Sequence, residues 1–445
     1  MHVSRLSLTM FCALVIGALA MPAAAQKKDG KNSAPTVRLE VTPVTPYSEV
    51  RRDNLLNGLQ VISLHRPADP FVKCDIVVRA GSMFDLLGKS GLASLTQATL
   101  LAANPRLKEE LESLQARIDW GMTTDTTWFH VETPVANFDT VFEIIARLLV
   151  IENVRNDVFA AAQKTQIERI KALRPSVAER ADEAFYKAVY GDHPYGRSLH
   201  GTEATISGIR PGDIYDFLRR FYIANNVSIT TVGNITSERA MRSFKVFFGG
   251  WSKGQIVPAT FRQPAQVAQL RVVRAEAADL SDVELRGGVI GVKHTDPDFL
   301  ATEVMARILT ARLKREAPAA EAVAVPRVLS GPFMFSARLP AEQAQAFSQK
   351  ATEQYAALAT TPATAEELAA ARTALAGEYA SRSVETFLRE IEIYLLPRNY
   401  PLNVQGLIDK VTAADVQRVA QRLRDANALT LVAFGRVGES FKSNP

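Results

Sequence analysis

Two stretches of this 445-residue chain carry one pattern at a fixed interval. Ile209 and Val411, Asp213 and Asp415, Asn225 and Asn427, and Gly233 and Gly435 are each separated by 202 residues. In both stretches an acidic residue sits near a helix start, an asparagine follows the helix, and an apolar run closes on glycine. That order spells a capped helix, a turn and a strand ending in a bend. A looser correspondence pairs strand 72–79 and its following helix with 283–292 and the helix after Asp298. Matched Asp, Asn and Gly at one ungapped interval mark a duplication, so the chain must fold as two similar halves.

The remaining periodicity fills in each half. Apolar alternation predicts strands over 59–64, 126–133 and 332–339, and helical spacing predicts helices over 140–150, 341–359 and 365–376. Short strands followed by runs of helices imply an α+β class, each half a sheet with helices packed on one face. With 47% apolar residues there is material for two cores. The halves are expected at 51–251 and 267–437, joined by a linker at 252–266 where Gly254, Pro258 and Pro264 interrupt periodicity. A short tail, 438–445, follows.

The first 25 residues predict an export signal: Arg5, the apolar run 6–20, then Ala23-Ala24-Ala25 ahead of Gln26. That run is shorter than the ~20 residues of a membrane-spanning helix. Cleavage after Ala25 would leave a periplasmic or secreted chain with no membrane span, opening with a flexible segment at 26–50. Of two cysteines, Cys12 and Cys74, only Cys74 survives cleavage, so no internal disulfide is possible. The formal charge of +5 is spread without a basic block beyond Lys27 to Lys31, and no nucleic-acid partner is expected.

Several motifs now join. Leu56-Asn57-Gly58 opens the first strand. A turn, Gly81-Ser82-Met83-Phe84-Asp85, runs into Gly91-Leu92-Ala93-Ser94-Leu95-Thr96-Gln97-Ala98. Thr124-Asp125-Thr126-Thr127, the block Gly191-Asp192-His193-Pro194-Tyr195-Gly196-Arg197, and Phe221 to Asn226 follow. Together, from about Leu55 to Gly435, they resemble the insulinase/pitrilysin family of zinc metallopeptidases. In that family the helix reads Gly-Leu-Ala-His-x-x-Glu-His, and Ser94, Gln97 and Ala98 stand where His, Glu and His would be. Two histidines four apart on one helix face grip zinc, and the glutamate is general base toward the zinc-bound water. A hydroxyl, a carboxamide and a methyl cannot do this. Six histidines occur, no two within four residues of each other, so no displaced copy of the pair exists.

The resemblance implies further residues. A third zinc ligand, a glutamate, lies in the family roughly seventy to eighty residues past the second histidine. The nearest glutamate here is Glu168, which reads as a surface charge. Ala311-Arg312-Leu313 is similar to a family segment whose arginine binds the peptide carbonyl, which makes Arg312 a candidate substrate-binding residue. Pairing of Arg312 with Glu316 at i, i+4 is the other reading. His193 and His200 are separated by Pro194 and Gly196, which break any shared helix face. His193 is assigned to the turn and Cys74 to a buried strand position.

These readings imply a clamshell around an unfolded peptide, with no catalytic residues and no cofactor in this chain. The expected partner is a zinc-bearing subunit of the same family, zinc being expected only there, and the peptide would add to a sheet edge. The alternative is a stand-alone peptide-binding or scaffolding protein of the cell envelope. A third reading, Ser94 as a nucleophile, needs a histidine brought to it through the fold.

Overall fold

The computed structural model describes residues 49–150, 154–173, 175–258, 261, 267–276 and 282–437. The expected export signal with its cleavage point, most of the 26–50 segment, much of the linker and the tail lie outside the described residues. Strands β1 (Arg51–Asn54), β2 (Gln60–His65), β3 (Phe71–Val78), β4 (Arg117–Met122), β5 (Thr127–Pro134) and β6 (Val227–Gly233) form one sheet, in the order β1-β2-β6-β3-β5-β4. Strands β7 (Arg271–Glu276), β8 (Asp282–Ile290), β9 (Glu321–Ala324), β10 (Pro332–Pro340) and β11 (Thr430–Gly435) form the second, ordered β7-β11-β8-β10-β9. Apart from β1 the two orders are identical. In each, the strand ending the repeated unit pairs parallel with one neighbour and antiparallel with the other. The matching glycines hold the same register, Gly233 opposite Val72 and Gly435 opposite Val283. Both turn at positive φ, 143° and 139°, and both carbonyls accept from the amide two residues on, at 2.8 and 2.9 Å.

The helices repeat as well. The first half carries α1 (Leu92–Ala102), α2 (Leu107–Ser113), α3 (Phe138–Leu149), α4 (Asn156–Ala172), α5 (Val177–Tyr190), α6 (Glu203–Ser207), α7 (Pro211–Phe221) and α8 (Ser237–Phe248). The second carries α9 (Phe299–Leu313), α10 (Ala341–Thr360), α11 (Ala365–Ser381), α12 (Val384–Tyr394), α13 (Tyr400–Lys410) and α14 (Ala413–Ala426). In the repeated unit Asp213 and Asp415 each accept from the backbone amide three residues back, Arg210 at 2.8 Å and Thr412 at 3.0 Å, satisfying a donor that the helix start leaves open.

One face of each sheet is covered by helices of its own half, around Ile76, Phe129, Phe142 and Phe244 in the first and Leu285, Phe333, Leu309 and Val419 in the second. The opposite face of each sheet receives a helix from the other half. Val384 and Leu388 of α12 pack on Ile62, Leu64 and Val232 of the first sheet. Phe185 and Val189 of α5 pack on Ile290, Met334 and Val432 of the second. Each such apolar side chain contributes about 1.5–3 kcal/mol when fully buried, so the exchange binds the halves into one body.

Ion pairs fix its register. Arg286 on β8, almost wholly buried, reaches Asp182 of α5 at 2.6 Å and Glu284 at 2.9 Å. Glu392 of α12 meets Arg79 of the first half at 3.1 Å. The loop between β9 and β10 seals the seam. There Arg327 donates to Thr124, and Tyr195 donates to Asp125 at 2.6 Å while accepting from the Leu329 amide at 3.0 Å.

Candidate functional site

The site begins with how α1 starts. Asp85 accepts from the amides of Gly91 at 2.7 Å and Ala93 at 2.8 Å, capping the helix from six residues upstream. Its burial pushes the carboxyl up to about 7, the two amide bonds pulling the other way. Gly91 enters the helix at φ 90°, and a Cβ there would lie 2.6 Å from the carbonyl oxygen of His200. A Cβ on Gly201 would lie 2.2 Å from the carbonyl oxygen of Ser90. Only glycine at both places lets segment 198–202 lie against the helix start. That close approach is what brings His200 to Ser94.

The two meet at 3.2 Å, Ser94 Oγ to His200 Nδ1, across 106 residues of chain. Gln166 of α4 donates its amide to the same Ser94 Oγ at 3.0 Å and to the His200 carbonyl at 3.4 Å. Burial, and then Arg169, lower the His200 pKa, so the ring is neutral at pH 7. Gln97, one turn along α1, donates to the Gly121 carbonyl of edge strand β4 at 3.1 Å. Ala98 is half-buried and brings only a methyl group. Ser94, Gln97 and Gln166 are 7%, 7% and 3% exposed, so the network is a filled, neutral patch of interior.

The residue facing the helix from α4 is therefore Gln166, not Glu168. Glu168 points outward and lies 3.9 Å from Lys164 on the same helix face. A signal for Gln166 was present in the sequence: Phe159, Ala162 and Gln166 are the buried positions of α4, spaced three and four apart, and glutamine is the polar member of that stripe.

Zinc takes tetrahedral nitrogen, thiolate or carboxylate donors. This patch offers one neutral imidazole, a hydroxyl already accepting a hydrogen bond, and two amides engaged as donors. The donor set does not fit the metal. Among the described residues no group of three or more His, Cys, Asp or Glu side chains is placed to hold a metal ion.

Arg312 does not pair with Glu316. Its guanidinium makes two bonds of 2.9 Å to the carboxylate of Glu367 on α11, while Glu316 is exposed. The i, i+4 pair is corrected to an inter-helix one, held through both prongs of the guanidinium. His193 serves its turn, with Nδ1 accepting from the Tyr195 amide at 3.2 Å, and Cys74 is fully buried.

Residues 60–203 match the family model for insulinase, peptidase family M16, and residues 208–375 match that of the peptidase M16 inactive domain. The chain belongs to the insulinase family, M16. The division between the two models falls ahead of α7, β6 and α8, which complete the first half. Zinc protease PqqE of Helicobacter pylori is 24% identical to this M16 chain over 266 residues, covering 57% of this chain and 60% of that protein. An uncharacterized zinc protease of Rickettsia felis is 19% identical over 206 residues, 45% of this chain and 50% of the other. The M16 chain thus spans about half the length of the curated relatives it matches. Among solved structures, a peptidase M16 inactive domain from Pseudomonas fluorescens superposes with TM-score 0.78 at 20% identity, covering 87% of this chain and 97% of that one. The periplasmic protease PqqL of Escherichia coli gives TM-score 0.75 at 15% identity, covering 89% and 49%. These likenesses fix the fold.

Proposed function

We propose that this M16 chain is a non-catalytic homologue that serves as the partner subunit of a zinc-bearing peptidase of its own family. The observation that carries this is the patch at α1. Ser94, Gln97 and Gln166 replace charge and imidazole with hydroxyl and amide groups that bond each other, His200 and β4. A site merely damaged would leave buried polar atoms unpaired at a cost of about 1–3 kcal/mol each. This one is satisfied, which supports a chain stably adapted to carrying no zinc of its own. The active subunit would bring metal and base, and this chain would form the other wall of the chamber. An extended peptide would add to an open sheet edge such as β4, by main-chain pairing. No described helix is long and apolar enough to cross a membrane. Together with the apolar run at residues 6–20, this supports a periplasmic or secreted location, and PqqL is itself described as a periplasmic protease.

Co-expression with a zinc-bearing M16 relative tests the reading. A stable complex whose peptidase activity falls when this chain is withheld supports it. No complex, and no change in the relative's activity, removes it and leaves stand-alone peptide binding, read by calorimetry on the isolated chain.

The Ser94–His200 contact favours one other reading, a serine hydrolase. Three features count against it. Ser94 is 7% exposed, its oxygen already accepts from Gln166, and no described side chain orients the far nitrogen of His200. Ser94→Ala in the purified chain checks it: the proposal expects no casein cleavage before or after the change.

A further inference from the structure

A cleft lies away from the Ser94 patch. It offers about 900 Å³, open to solvent on one side, where the loop before α1, the end of α5, the end of α7 and the linker meet. That volume suits a ligand of drug or short-peptide size. One wall is aromatic: the Phe84 ring lies 4.7 Å from that of Phe221, tilted by 45°, and 5.8 Å, edge-on, from that of Phe261 in the linker. Leu86 and Leu87 form an apolar lip, 41% and 85% exposed.

Three arginines line the same space: Arg197, Arg220 and Arg271. None has a carboxylate within ion-pair distance among the described residues. Arg197 donates to the backbone carbonyls of Asp85 and Asp192 at 3.4 and 3.1 Å, and Arg271 to that of Ala188 at 2.5 Å. Arg220 lies over the Phe221 ring at 5.5 Å. Neutral oxygens hold two of these guanidinium groups in place without cancelling their charge. The opposing acids in the lining are Asp85, whose oxygens are taken by Gly91 and Ala93, and the exposed Asp192. Three guanidinium groups against Asp192 and an Asp85 that burial leaves only partly ionised at pH 7 make a net positive surplus suited to an anion.

We propose that this cleft binds an apolar carboxylate: a bulky aromatic or branched side chain against Phe84, Phe221 and Phe261, with its carboxylate on the arginines. Arginine's planar fork suits a carboxylate, and an aromatic wall rewards a flat apolar group beside it. Two sources share this chemistry, the free C-terminal residue of a peptide and a small free acid. The first deepens the peptide-binding reading above. The cleft itself lies wholly within this chain and needs no partner subunit, so the inference stands or falls separately.

Calorimetry on the full chain tests it with four probes: a pentapeptide ending in phenylalanine, its C-terminal amide, 3-phenylpropionate, and phenyl phosphate. The peptide acid should bind at least ten-fold tighter than the amide. Arg220→Gln, at an exposed position that anchors no backbone, should weaken the acid ten-fold with an unchanged melting temperature, and Phe261→Ala should weaken acid and amide together. If 3-phenylpropionate matches the peptide acid, the cleft serves small acids. If it is much weaker, the cleft reads a peptide terminus. Equal binding of acid and amide, tighter binding of phenyl phosphate, an unaffected Arg220→Gln, or no binding of any probe would overturn the proposal. None of these outcomes bears on whether a zinc-bearing subunit forms a complex.

Discussion

The same helix crossing occurs twice, and its chemistry differs. In the first half α1 meets α4 through Ser94, Gln166 and the neutral ring of His200. In the second half α9 meets α11 through ions. Arg312 pairs with Glu367, Arg307 with Glu378 at 2.8 Å, and buried Glu303 accepts from Tyr379 at 2.7 Å. One scaffold thus tolerates a charged clasp in one copy and an uncharged one in the other. Where the family resemblance leads one to expect metal and carboxylates, the chain has removed charge. Where no metal is expected, it has kept it.

Rebuilding the metal site should break the comparison most. Ser94→His, Gln97→Glu and Ala98→His together supply the missing helix ligands and base. Adding Gln166→Glu should raise zinc affinity at least ten-fold above that triple variant, whereas Glu168→Gln should leave it unchanged, as zinc titration against a chromogenic chelator would read. Equal dependence on Glu168 would mean that the wrong face of α4 has been assigned.

The charged clasp should betray itself through pH. Burial pushes Glu303 up from 4.5 to about 7, against the donated Tyr379 hydroxyl. The folded chain then holds a proton that the unfolded chain has lost, so this group's effect on stability worsens as pH rises from about 4.5 to 7 and is level above. Over that window the change is on the order of 3 kcal/mol. Asp85 acts in the same sense in the first half, so the clean readout is the difference between wild type and Glu303→Gln in urea unfolding. The variant should flatten the slope, and an unchanged slope would place the titration elsewhere.

Smaller effects follow. Tyr379→Phe strips the donor from Glu303 and should cost about 2 kcal/mol. Arg312→Gln should cost about 1–2 kcal/mol, reduced by added salt because the pair is only partly screened by protein. Ser94→Ala, in the uncharged clasp, should cost about 1 kcal/mol with no salt dependence. Chemical denaturation at low and high salt separates the two halves on this point.

The duplication was legible because its residues are dictated locally. Gly233 and Gly435 turn at positive φ, and Asp213 and Asp415 cap helices, whatever lies around them. The strands and helices read from periodicity fall within a few residues of β2, β5, β10, α3 and α10. Which sheet a helix covers was not legible. The apolar face of α5 announces that it is buried, and nothing in its spacing says that it crosses to the other half's sheet. That positions 94, 97 and 98 carry no histidine or glutamate was legible from the sequence alone, but the hydrogen-bond network around Ser94 and Gln97 was not. That network depends on Gly91 and Gly201 letting His200 approach from 106 residues away, and on Gln166 facing inward. The ion-pair partner of Arg312 was not legible for a related reason: i, i+4 spacing brings Glu316 near, but Glu367 arrives from another helix and supplies a two-pronged fit.

The most direct measurement is the metal content of the isolated, full-length chain, taken by inductively coupled plasma mass spectrometry after purification with zinc in every buffer, alongside peptidase assays with and without chelator. The expected result is zinc well below one per chain and no chelator-sensitive cleavage. One zinc per chain, with proteolysis that chelator abolishes and metal restores, would contradict the assignment of this patch as a filled, metal-free remnant.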